Sequence, residues 1–369
     1  MKIKKPRVVV IGLKGLPAYG GAAAVGENII LKLKDEFDFT VLSIASHTTE
    51  KSADYKGIRQ VVFNNYLKGG LNTLFYYLRS LLYCMTHRFD LVHLHHAESG
   101  FITPILRLRY KVIVTFHGVC FENDPKFSKF QNRFFRFSEK LNVRFANEAI
   151  SVSKPDQDFI LNKYKKMIGY IPNGISVNTA NPEKNRKKTE TPYIFFAAGR
   201  IYQIKGLHLL LQAIRKINPD IPIKVAGDLE QVDAYRDKII RLSEGLNIEY
   251  VGLIKDKEEL LEMIAGSLLF VFPSLREAMS MMLLEVVSVK TPVIASNIPS
   301  NRTIFTDEEM LFFESKCSRD LTEKLRYALA NPEEMEKRAQ KAFDKLTKEY
   351  TWDIVSGRYK SIYKQYLKK

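Results

Sequence analysis

The stretch "YIFFAAGRIYQIKGLHLLLQAIRK", residues 193–216, contains a pattern that predicts the fold class. Its first eight residues are mostly apolar and predict a buried strand, and residues 207–216 have the apolar spacing of a helix. A loop flanked by Gly199 and Gly206 separates the two. A strand, a loop and a helix in this order predict one unit of an α/β fold with a parallel sheet.

The same alternation runs in both directions from this stretch. Helical patterns at 26–33, 71–87 and 232–246 lie between short apolar segments. The order predicts parallel sheets in both halves of the chain. The predicted strands are "RVVVIGL", "FTVLSIA", "LVHLHHA", "KVIVTFHG", "EAISVS" and "IGYIPNG" in the first half, and "YIFFAAGR", "PIKVAGD", "IEYVGL", "LLFVFPS" and "PVIAS" in the second.

The length of 369 residues exceeds the size at which single hydrophobic cores usually stop growing. The periodicity disappears in "GISVNTANPEKNRKKTETPY", where Asn, Pro, Lys and Thr dominate as in a linker. We therefore predict a first domain at 1–172, a linker at 173–190 and a second domain at 191–351.

The formal net charge of +16 lies mostly in the first half of the chain. Residues 1–170 carry 26 Lys and Arg against 14 Asp and Glu, whereas residues 171–369 carry 31 against 27. A basic surface suits nucleic acid, anionic lipid or a phosphorylated substrate, and charge alone does not choose among them. The three scattered cysteines provide neither a CxxC pair nor a disulfide framework. With no apolar stretch near the roughly 18 residues that cross a bilayer and no signal-peptide pattern, we expect a cytoplasmic protein.

Glycines follow the first predicted strand. Gly12 and Gly15 do not form the G-x-G-x-x-G pattern of a dinucleotide site. Gly20 and Gly21 stand before a helix expected to begin near residue 22, where the backbone can approach a ligand closely. A flexible turn without a ligand is the alternative.

Histidines are concentrated in "HLHHAESG" and "TFHG". On a strand His93 and His95 share one face and His96 points the other way, and no cysteine or carboxylate completes a metal-binding set. We therefore predict no metal site. His117 precedes Gly118 at the end of a strand and can face a ligand there, although a structural histidine is the alternative.

Charged residues follow two strands of the second half. Arg200 and Lys205 can clamp a diphosphate, Arg through its planar fork and Lys as a mobile point charge, although a solvated surface pair is the alternative. In "REAMSMMLLE", residues 276–285, we predict a loop that contains Glu277, then a helix capped by Ser280. Glu285 lies among core-type residues in that helix, so it requires a polar partner, and it can accept hydrogen bonds from vicinal sugar hydroxyls.

Seven motifs in this order resemble the retaining, nucleotide-sugar-dependent glycosyltransferases of the GT-B fold, family 4, over nearly the whole chain. "GLKGLPAYGG" further resembles a bacterial subgroup linked to rhamnosyl transfer in surface-polysaccharide assembly. The seven motifs are "YGGAAAVGENI", "VTFHG", "AISVSK", "IPNGIS", "GRIYQIKG", "FPSLREAMSMMLLEVVSVKTPVIAS" and "YTWDIVSGRYKSIYKQYL".

The resemblance implies two Rossmann-like domains whose parallel sheets face each other across a cleft. The first domain would bind the acceptor and be joined by the last helix, at about 352–369, and the second would bind the donor. The implied reaction moves a sugar from a nucleotide-diphosphate sugar to a saccharide or lipid-linked acceptor. It proceeds with retention, without a metal or other cofactor, in bacterial polysaccharide biosynthesis.

The resemblance also assigns roles to residues. Glu285 would hold the ribose hydroxyls, Glu277 the transferred sugar, and His117 the sugar near its anomeric carbon. The usual E-G-F-G start of one motif reads E-A-M-S here, so side chains replace two glycines. Arg200 and Lys205 would hold the diphosphate, with Gly20 and Gly21 close to it, and the whole predicted donor site is Gly20, Gly21, Gly199, Arg200, Lys205, Glu277, Ala278, Met279, Ser280 and Glu285.

Two other classes of protein remain as alternatives. A dinucleotide-binding oxidoreductase would need the missing glycine pattern, and a nucleic-acid-binding protein would use the basic first half without a recognisable binding module. Residues 126–145 interleave cations with phenylalanines, which suits an anionic membrane surface, although the rings could instead pack into a core. We therefore expect a protein on the inner face of the cell membrane that binds no nucleic acid.

Overall fold

The two parallel sheets expected from the sequence are present, one in each of two units. Unit 1 comprises Met1–Gly174 and Trp352–Lys369, and unit 2 comprises Ile175–Thr351. The predicted linker lies outside the described residues from position 178 to its end at 190. The computed structural model describes residues 4–18, 21–48, 53–67, 69–119, 128–177 and 192–368.

Unit 1 begins as an alternation of strands and helices, with 3₁₀ turns at Ala45–His47 and Ala97–Ile102. The elements in chain order are β1 (Arg7–Lys14), α1 (Gly21–Leu33), β2 (Asp38–Ile44), β3 (Asp54–Tyr55), β4 (Ile58–Phe63), α2 (Gly69–Thr86), β5 (Leu91–His95), α3 (Thr103–Leu106), β6 (Lys111–Phe116), α4 (Lys129–Phe145), β7 (Glu148–Ser151), α5 (Lys154–Tyr164) and β8 (Gly169–Tyr170).

The sheet of unit 1 has the order β3-β4-β2-β1-β5-β6-β7-β8, and its neighbours are parallel except for β3 and β4. Residues 8–11 of the central strand β1 are completely buried. A parallel strand covered on both faces buries successive side chains in both directions, so its sequence is continuously apolar. This is why β1 could be predicted from its sequence.

Unit 2 repeats the architecture with the strand order β11-β10-β9-β12-β13-β14, all pairs parallel, and a 3₁₀ turn at Gln203–Lys205. The prediction of an α/β fold with two parallel sheets is therefore confirmed. The elements are β9 (Ile194–Arg200), α6 (Leu207–Ile217), β10 (Ile223–Asp228), α7 (Asp233–Ser243), β11 (Ile248–Gly252), α8 (Lys257–Ala265), β12 (Leu269–Phe272), α9 (Met281–Ser288), β13 (Val293–Ser296), α10 (Pro299–Ile304), β14 (Leu311–Phe313), α11 (Ser318–Ala330) and α12 (Pro332–Glu349).

The last helix, α13 (Trp352–Leu367), belongs to unit 1. Its Tyr359 and Tyr363 are completely buried, and the ring of Tyr363 meets that of Phe37 edge-on at 5.3 Å. At its start, a Cβ added to Gly174 would lie 2.5 Å from the indole of Trp352, so only glycine fits there. The glycine of the "IPNGIS" motif therefore allows the returning helix to pack closely.

One predicted strand is shorter in the structure, and the strands β3, β4 and β14 were not predicted. The strand expected at 168–174 is limited to the two residues of β8, because the chain then turns to pack against Trp352. The strand β4 was missed because polar residues interrupt its sequence. One of them, Gln60, is only 3% exposed and accepts hydrogen bonds from the N–H of Leu16 and the hydroxyl of Ser43.

Among the described helices, none combines the length and the apolar character needed to cross a membrane.

Candidate functional site

The carboxyl end of β9 presents two exposed residues, Gly199 and Arg200. This strand lies between β10 and β12, and ligands of open parallel sheets bind at such strand ends. Arg200 is aligned with Asp228 of β10, but within the described residues its guanidinium makes no ion pair. It is therefore available to an anionic ligand.

Lys205 and Glu277 form an ion pair in unit 2. The Nζ of Lys205 lies 2.6 Å from Oε1 of Glu277, and both side chains are largely buried, with 24% and 14% of their surfaces exposed. The sequence predicted separate ligands for these two side chains, the diphosphate for Lys205 and the sugar for Glu277. The structure brings them together, so each is positioned by the other.

A glycine makes this pairing possible. Gly206 directly follows Lys205 and has a φ of +72°, and a Cβ there would lie 2.0 Å from the carbonyl oxygen of Pro273. The N–H of Leu275 donates a hydrogen bond of 2.7 Å to the carbonyl oxygen of Ile204. The turn after β9 and the loop after β12 are therefore held against each other.

The segment from Glu277 to Glu285 is a loop followed by a capped helix, as predicted. The hydroxyl of Ser280 accepts a hydrogen bond of 3.4 Å from the N–H of Leu283 at the start of α9. Glu285 lies within this helix with 15% of its side chain exposed, and its Oε1 is 3.3 Å from Nζ of Lys257. The required polar partner is thus Lys257 of α8, which the sequence did not indicate.

The environment of Glu285 changes its acidity. Burial raises the pKa of its carboxyl above the ordinary value, although the nearby Lys257 ammonium opposes this effect. A carboxylate that is costly to keep buried benefits from further hydrogen-bond donors. Hydroxyl groups of a ligand can supply such donors.

His117 lies at the end of β6 against a second histidine. Its Nε2 is 2.9 Å from Nδ1 of His95, and the two rings stack with their centroids 5.2 Å apart. Burial, and then the proximity of His96 and His93, holds the pKa of His117 well below its ordinary value, so the ring is neutral at neutral pH. Its Nδ1 is buried and has no hydrogen-bond partner in the described part of the chain.

His93 is tied to α13 instead. Its Nδ1 lies 2.7 Å from the hydroxyl of Tyr363, and its Nε2 lies 2.9 Å from the hydroxyl of Thr115. The expectation that His93 and His95 share a face of β5 is confirmed, since their rings are 4.2 Å apart. Throughout the described ranges, no three His, Cys, Asp or Glu side chains are grouped as ligands for a metal ion.

Four predicted site residues have not yet been described. Gly20 is outside the described residues, and Gly21 is the exposed first residue of α1. Ala278 and Met279 lie in the loop before α9, and the side chain of Met279 is buried, with 7% exposed. Met279 therefore stands where the family motif has phenylalanine, whereas Ala278 and Ser280 replace its two glycines.

Sequence reasoning missed a second ion pair, in unit 1. The Nζ of Lys14, at the end of β1, is 3.5 Å from Oε1 of Glu98 in the 3₁₀ turn after β5. Burial raises the pKa of Glu98, but His96 and Lys14 outweigh this effect and leave it below the ordinary value. The signal in the sequence was the position of Glu98 immediately after "HLHHA" at a strand end.

Comparisons with known proteins agree with this architecture. The model described as "Glycosyltransferase Family 4" matches residues 19–179, and that described as "Glycosyl transferases group 1" matches residues 178–345. The UDP-Gal:alpha-D-GlcNAc-diphosphoundecaprenol alpha-1,3-galactosyltransferase of Escherichia coli is 24% identical over 60% of this chain. The match spans 61% of that relative's length.

Solved structures share the fold over almost the full chain. The sucrose-phosphate synthase of Thermosynechococcus elongatus superposes with a TM-score of 0.83 at 18% identity, covering 98% of this chain and 99% of the other. The Anabaena protein HepE, solved with UDP and glucose, gives 0.79 at 17% identity, covering 98% and 100%. With two family models that follow one another from residue 19 to residue 345, these findings establish that the chain belongs to the GT-B glycosyltransferases of family 4.

Proposed function

We propose that this chain transfers a sugar from a nucleoside-diphosphate sugar to a saccharide or lipid-linked acceptor, with retention, in bacterial polysaccharide biosynthesis. The observation that carries the proposal is the group at the sheet end of unit 2. There Arg200, which makes no ion pair within the described residues, precedes the paired Lys205 by five positions, and Glu277 and Glu285 follow β12 in the loop and in α9. Cations that suit a diphosphate and carboxylates that suit hydroxyls are the groups a nucleotide sugar requires. Because the chain belongs to a glycosyltransferase family, we do not propose an oxidoreductase or a nucleic-acid-binding protein.

The proteins compared above support this class of donor. The Escherichia coli relative is named for UDP-Gal and an acceptor linked to diphosphoundecaprenol, and HepE was solved with UDP and glucose. The donor proposed here is therefore a nucleoside-diphosphate hexose. The motif "GLKGLPAYGG" suggests a rhamnosyl donor, so a nucleoside-diphosphate rhamnose is among the nucleotide sugars to be screened for binding.

The proposed transfer breaks the bond between the anomeric carbon and the diphosphate oxygen, whose electron pair leaves with the diphosphate. Arg200 and Lys205 stabilise the negative charge that develops there, without a metal ion or other cofactor. The acceptor oxygen bonds to the same face of the anomeric carbon, and its proton passes to the departing phosphate oxygen. Glu277 holds the sugar, Glu285 holds the ribose, and the neutral His117 donates or accepts a hydrogen bond at the sugar.

A thermal-shift screen against nucleotide sugars tests the proposal. One donor at about a hundred times its dissociation constant should raise the melting temperature by roughly 5 °C or more, because it binds only the folded state. The product formed from that donor should keep the anomeric configuration by NMR, and turnover should persist in EDTA. Stabilisation by NAD but by no nucleotide sugar would overturn the proposal, and an inverted product would overturn retention.

We further propose that unit 1 lies on an anionic membrane surface. On α4, Phe130, Arg133, Phe137, Lys140 and Arg144 recur at spacings of three and four and therefore share one face of the helix. Phe130 is 78% exposed and Phe137 is 55% exposed, and the three cations are exposed as well. These rings are thus not part of the core, whereas Phe134 and Phe135 are half-buried.

Helix α2 has exposed apolar side chains as well. Leu71, Leu78 and Leu82 follow one another along one side of α2 and are 64%, 46% and 64% exposed. We call these three leucines, with the five residues of α4, the apolar–cationic face. Apolar side chains among cations are the composition that partitions into the headgroup region of anionic bilayers.

Vesicle co-sedimentation tests the membrane proposal. Anionic vesicles should retain the protein, neutral vesicles should not, and added salt should weaken the binding. Replacing Phe130 and Phe137 together by Ser should release the protein, whereas Tyr327→Ser, an exposed aromatic of unit 2, should not. Equal binding to neutral and anionic vesicles, or equal effects of the two variants, would overturn the proposal.

A further inference from the structure

Two glutamates of unit 2 have the same exposed fraction but different partners. Glu285 of α9 and Glu309, in the loop after α10, each have 15% of the side chain exposed. Each also forms an ion pair with a lysine, Lys257 at 3.3 Å for Glu285 and Lys345 at 3.4 Å for Glu309. Glu309 therefore provides a comparison, within the same unit, for the environment of Glu285.

Glu309 has hydrogen-bond donors in addition to its lysine. Its Oε2 accepts from both the N–H and the hydroxyl of Thr306. Burial raises the pKa of Glu309, but these donors and Lys345 outweigh this effect and leave it below the ordinary value. Groups of the protein alone thus keep this carboxylate ionised.

Glu285 has no counterpart of Thr306. Among the described residues, Lys257 is the only group paired with its carboxylate. Burial raises the pKa of Glu285 above the ordinary value, and the single lysine opposes this effect without reversing it. The two oxygens of an ionised carboxylate can accept about four hydrogen bonds. Most of this capacity is therefore left for a ligand that supplies donors.

The pair lies near the starts of two helices that pack against each other. Lys257 is the first residue of α8, and Oδ1 of Asp256 fixes that start by accepting from two N–H groups of the first turn at 2.7 and 3.0 Å. Glu285 lies about one turn into α9, which packs against α8. Helices that follow parallel strands begin at the carboxyl end of the sheet, where ligands bind. Both partners are therefore held near the ligand end of unit 2.

Two hydroxyls on adjacent carbons match the free capacity of Glu285. They can donate to both oxygens of one carboxylate, provided that the carboxylate is ionised. Lys257 favours the ionised form and, as the partner of Oε1, restricts the orientation of the carboxylate. Because Lys257 is 54% exposed, its ion pair contributes little to stability. A role in aligning Glu285 explains the pair better than a role in holding the fold.

We propose that Lys257 is a positioning residue for donor binding, which orients the Glu285 carboxylate toward the 2′- and 3′-hydroxyls of the ribose. The donor is then a ribonucleoside-diphosphate sugar, and the 2′-deoxyribonucleoside form binds more weakly. This inference rests on the proposed transferase function. It adds to that function a residue outside the predicted site and a preference for the pentose of the donor.

Calorimetry of the whole protein with UDP, CDP, ADP and GDP, and with their 2′-deoxy counterparts, tests the preference. The parent protein should bind the best of these ribonucleotides on the order of tenfold more tightly than its 2′-deoxy counterpart, because one hydrogen bond to a charged group is lost. Lys257→Met should reduce this affinity ratio to about two. Lys257→Arg, which keeps the cation, should preserve most of the ratio.

Lys345→Met provides the matched control, because it removes the equivalent ion pair of Glu309. It should leave the affinity ratio unchanged, whatever its effect on the melting temperature. In a protein that already carries Glu285→Gln, Lys257→Met should not change the ratio further, because it acts through that carboxylate. A ratio of two dissociation constants measured on one variant does not depend on the fraction of the sample that is folded.

The outcomes separate the two proposals. If a donor is bound and transferred, but the affinity ratio is near one in the parent protein or is unchanged in Lys257→Met, the positioning role is wrong and the transferase proposal stands. An equal loss of affinity for ribose and 2′-deoxyribose ligands in Lys257→Met would also overturn the role, because the lysine would then act on the diphosphate. If the protein binds none of these nucleotides and no nucleotide sugar, both proposals fail.

Discussion

The buried histidines at the strand ends of unit 1 are neutral, whereas the candidate site of unit 2 contains two ion pairs. In unit 1, burial lowers the pKa of His117 and leaves its Nδ1 without a partner in the described chain. In unit 2, Lys205 pairs with Glu277 and Lys257 pairs with Glu285. The difference shows that burial without a counter-charge keeps a side chain neutral, whereas a paired counter-charge lets a largely buried side chain stay charged.

The distribution of net charge runs the opposite way. The first 170 residues carry 26 cations against 14 anions, yet Lys14, the cation at the end of β1, is already paired with Glu98. Much of the excess lies on exposed positions such as Arg133, Lys140 and Arg144 of α4. A basic domain therefore need not have a basic ligand site, since its charge can serve a surface instead.

The largest expected effect concerns the charged site of unit 2. Arg200→Ala and Lys205→Ala should each lower turnover on the order of 10²–10³-fold. Each removes a cation that stabilises the negative charge gained by the leaving diphosphate. Steady-state kinetics with the identified donor measures this. Lys348→Ala, an exposed cation of α12, should have no effect. Unchanged turnover in either first variant would remove that residue from the diphosphate site.

Replacing Glu285 and replacing Glu277 should have different effects on the affinity for nucleoside diphosphate. Glu285→Gln should weaken both the donor and the free nucleoside diphosphate by about 1–3 kcal/mol, because a charge-assisted acceptor is lost. Glu277→Gln should reduce turnover while free nucleoside diphosphate binds as well or better, because Lys205 is released from its ion pair. Calorimetry with both ligands measures the difference. Equal loss of nucleoside-diphosphate affinity in both variants would contradict the assignment.

The neutral histidines should make unit 1 sensitive to acid. Burial lowers the pKa of His93 to about 3. Below pH ~6.5 the unfolded chain therefore binds a proton at this residue that the folded chain does not bind. The contribution of neutral His93 to stability is fully present above pH ~6.5 and is lost progressively between pH ~6.5 and ~3. At pH ~5.5 the free energy of unfolding has fallen by about 1.4 kcal/mol for one histidine.

Denaturant unfolding measured at several pH values tests this linkage. The fluorescence of Trp352, the single tryptophan of the chain, reports unit 1, where it is buried. His93→Gln should unfold with a shallower pH dependence than the parent protein, whatever its absolute stability. Parallel pH dependences for the two proteins would show that His93 does not titrate as described.

The smallest expected effect is local to unit 2. Ser280→Ala removes the hydroxyl that accepts from Leu283 and should destabilise the protein by about 1 kcal/mol. Ser361→Ala, which removes an exposed hydroxyl within α13, should change stability by less than about 0.5 kcal/mol. Circular dichroism of chemical unfolding distinguishes the two. Equal effects would mean that Ser280 contributes little as a cap.

The parts of the fold that could be predicted are those coded by neighbouring residues. The apolar run of β1 and the Ser280 cap of α9 are local patterns, and the structure confirms both. The strand β4 was missed because a glutamine such as Gln60 is usually a surface residue. The sequence does not show that the N–H of Leu16 and the hydroxyl of Ser43 donate hydrogen bonds to its side chain. The partner of Glu285 was missed because Lys257 precedes it by a strand and a helix.

Most strands and helices, and the residues that follow those strands, could be predicted from the sequence, because periodicity and caps act over a few positions. Which of those residues are charged, paired or without a partner in the described chain follows from how distant segments pack. Desolvation and ion pairing depend on distances between segments far apart in the chain, as between Tyr77 and Glu98 or between Lys205 and Glu277. The chemistry of each site is therefore set by packing, even though its residues can be named from the sequence.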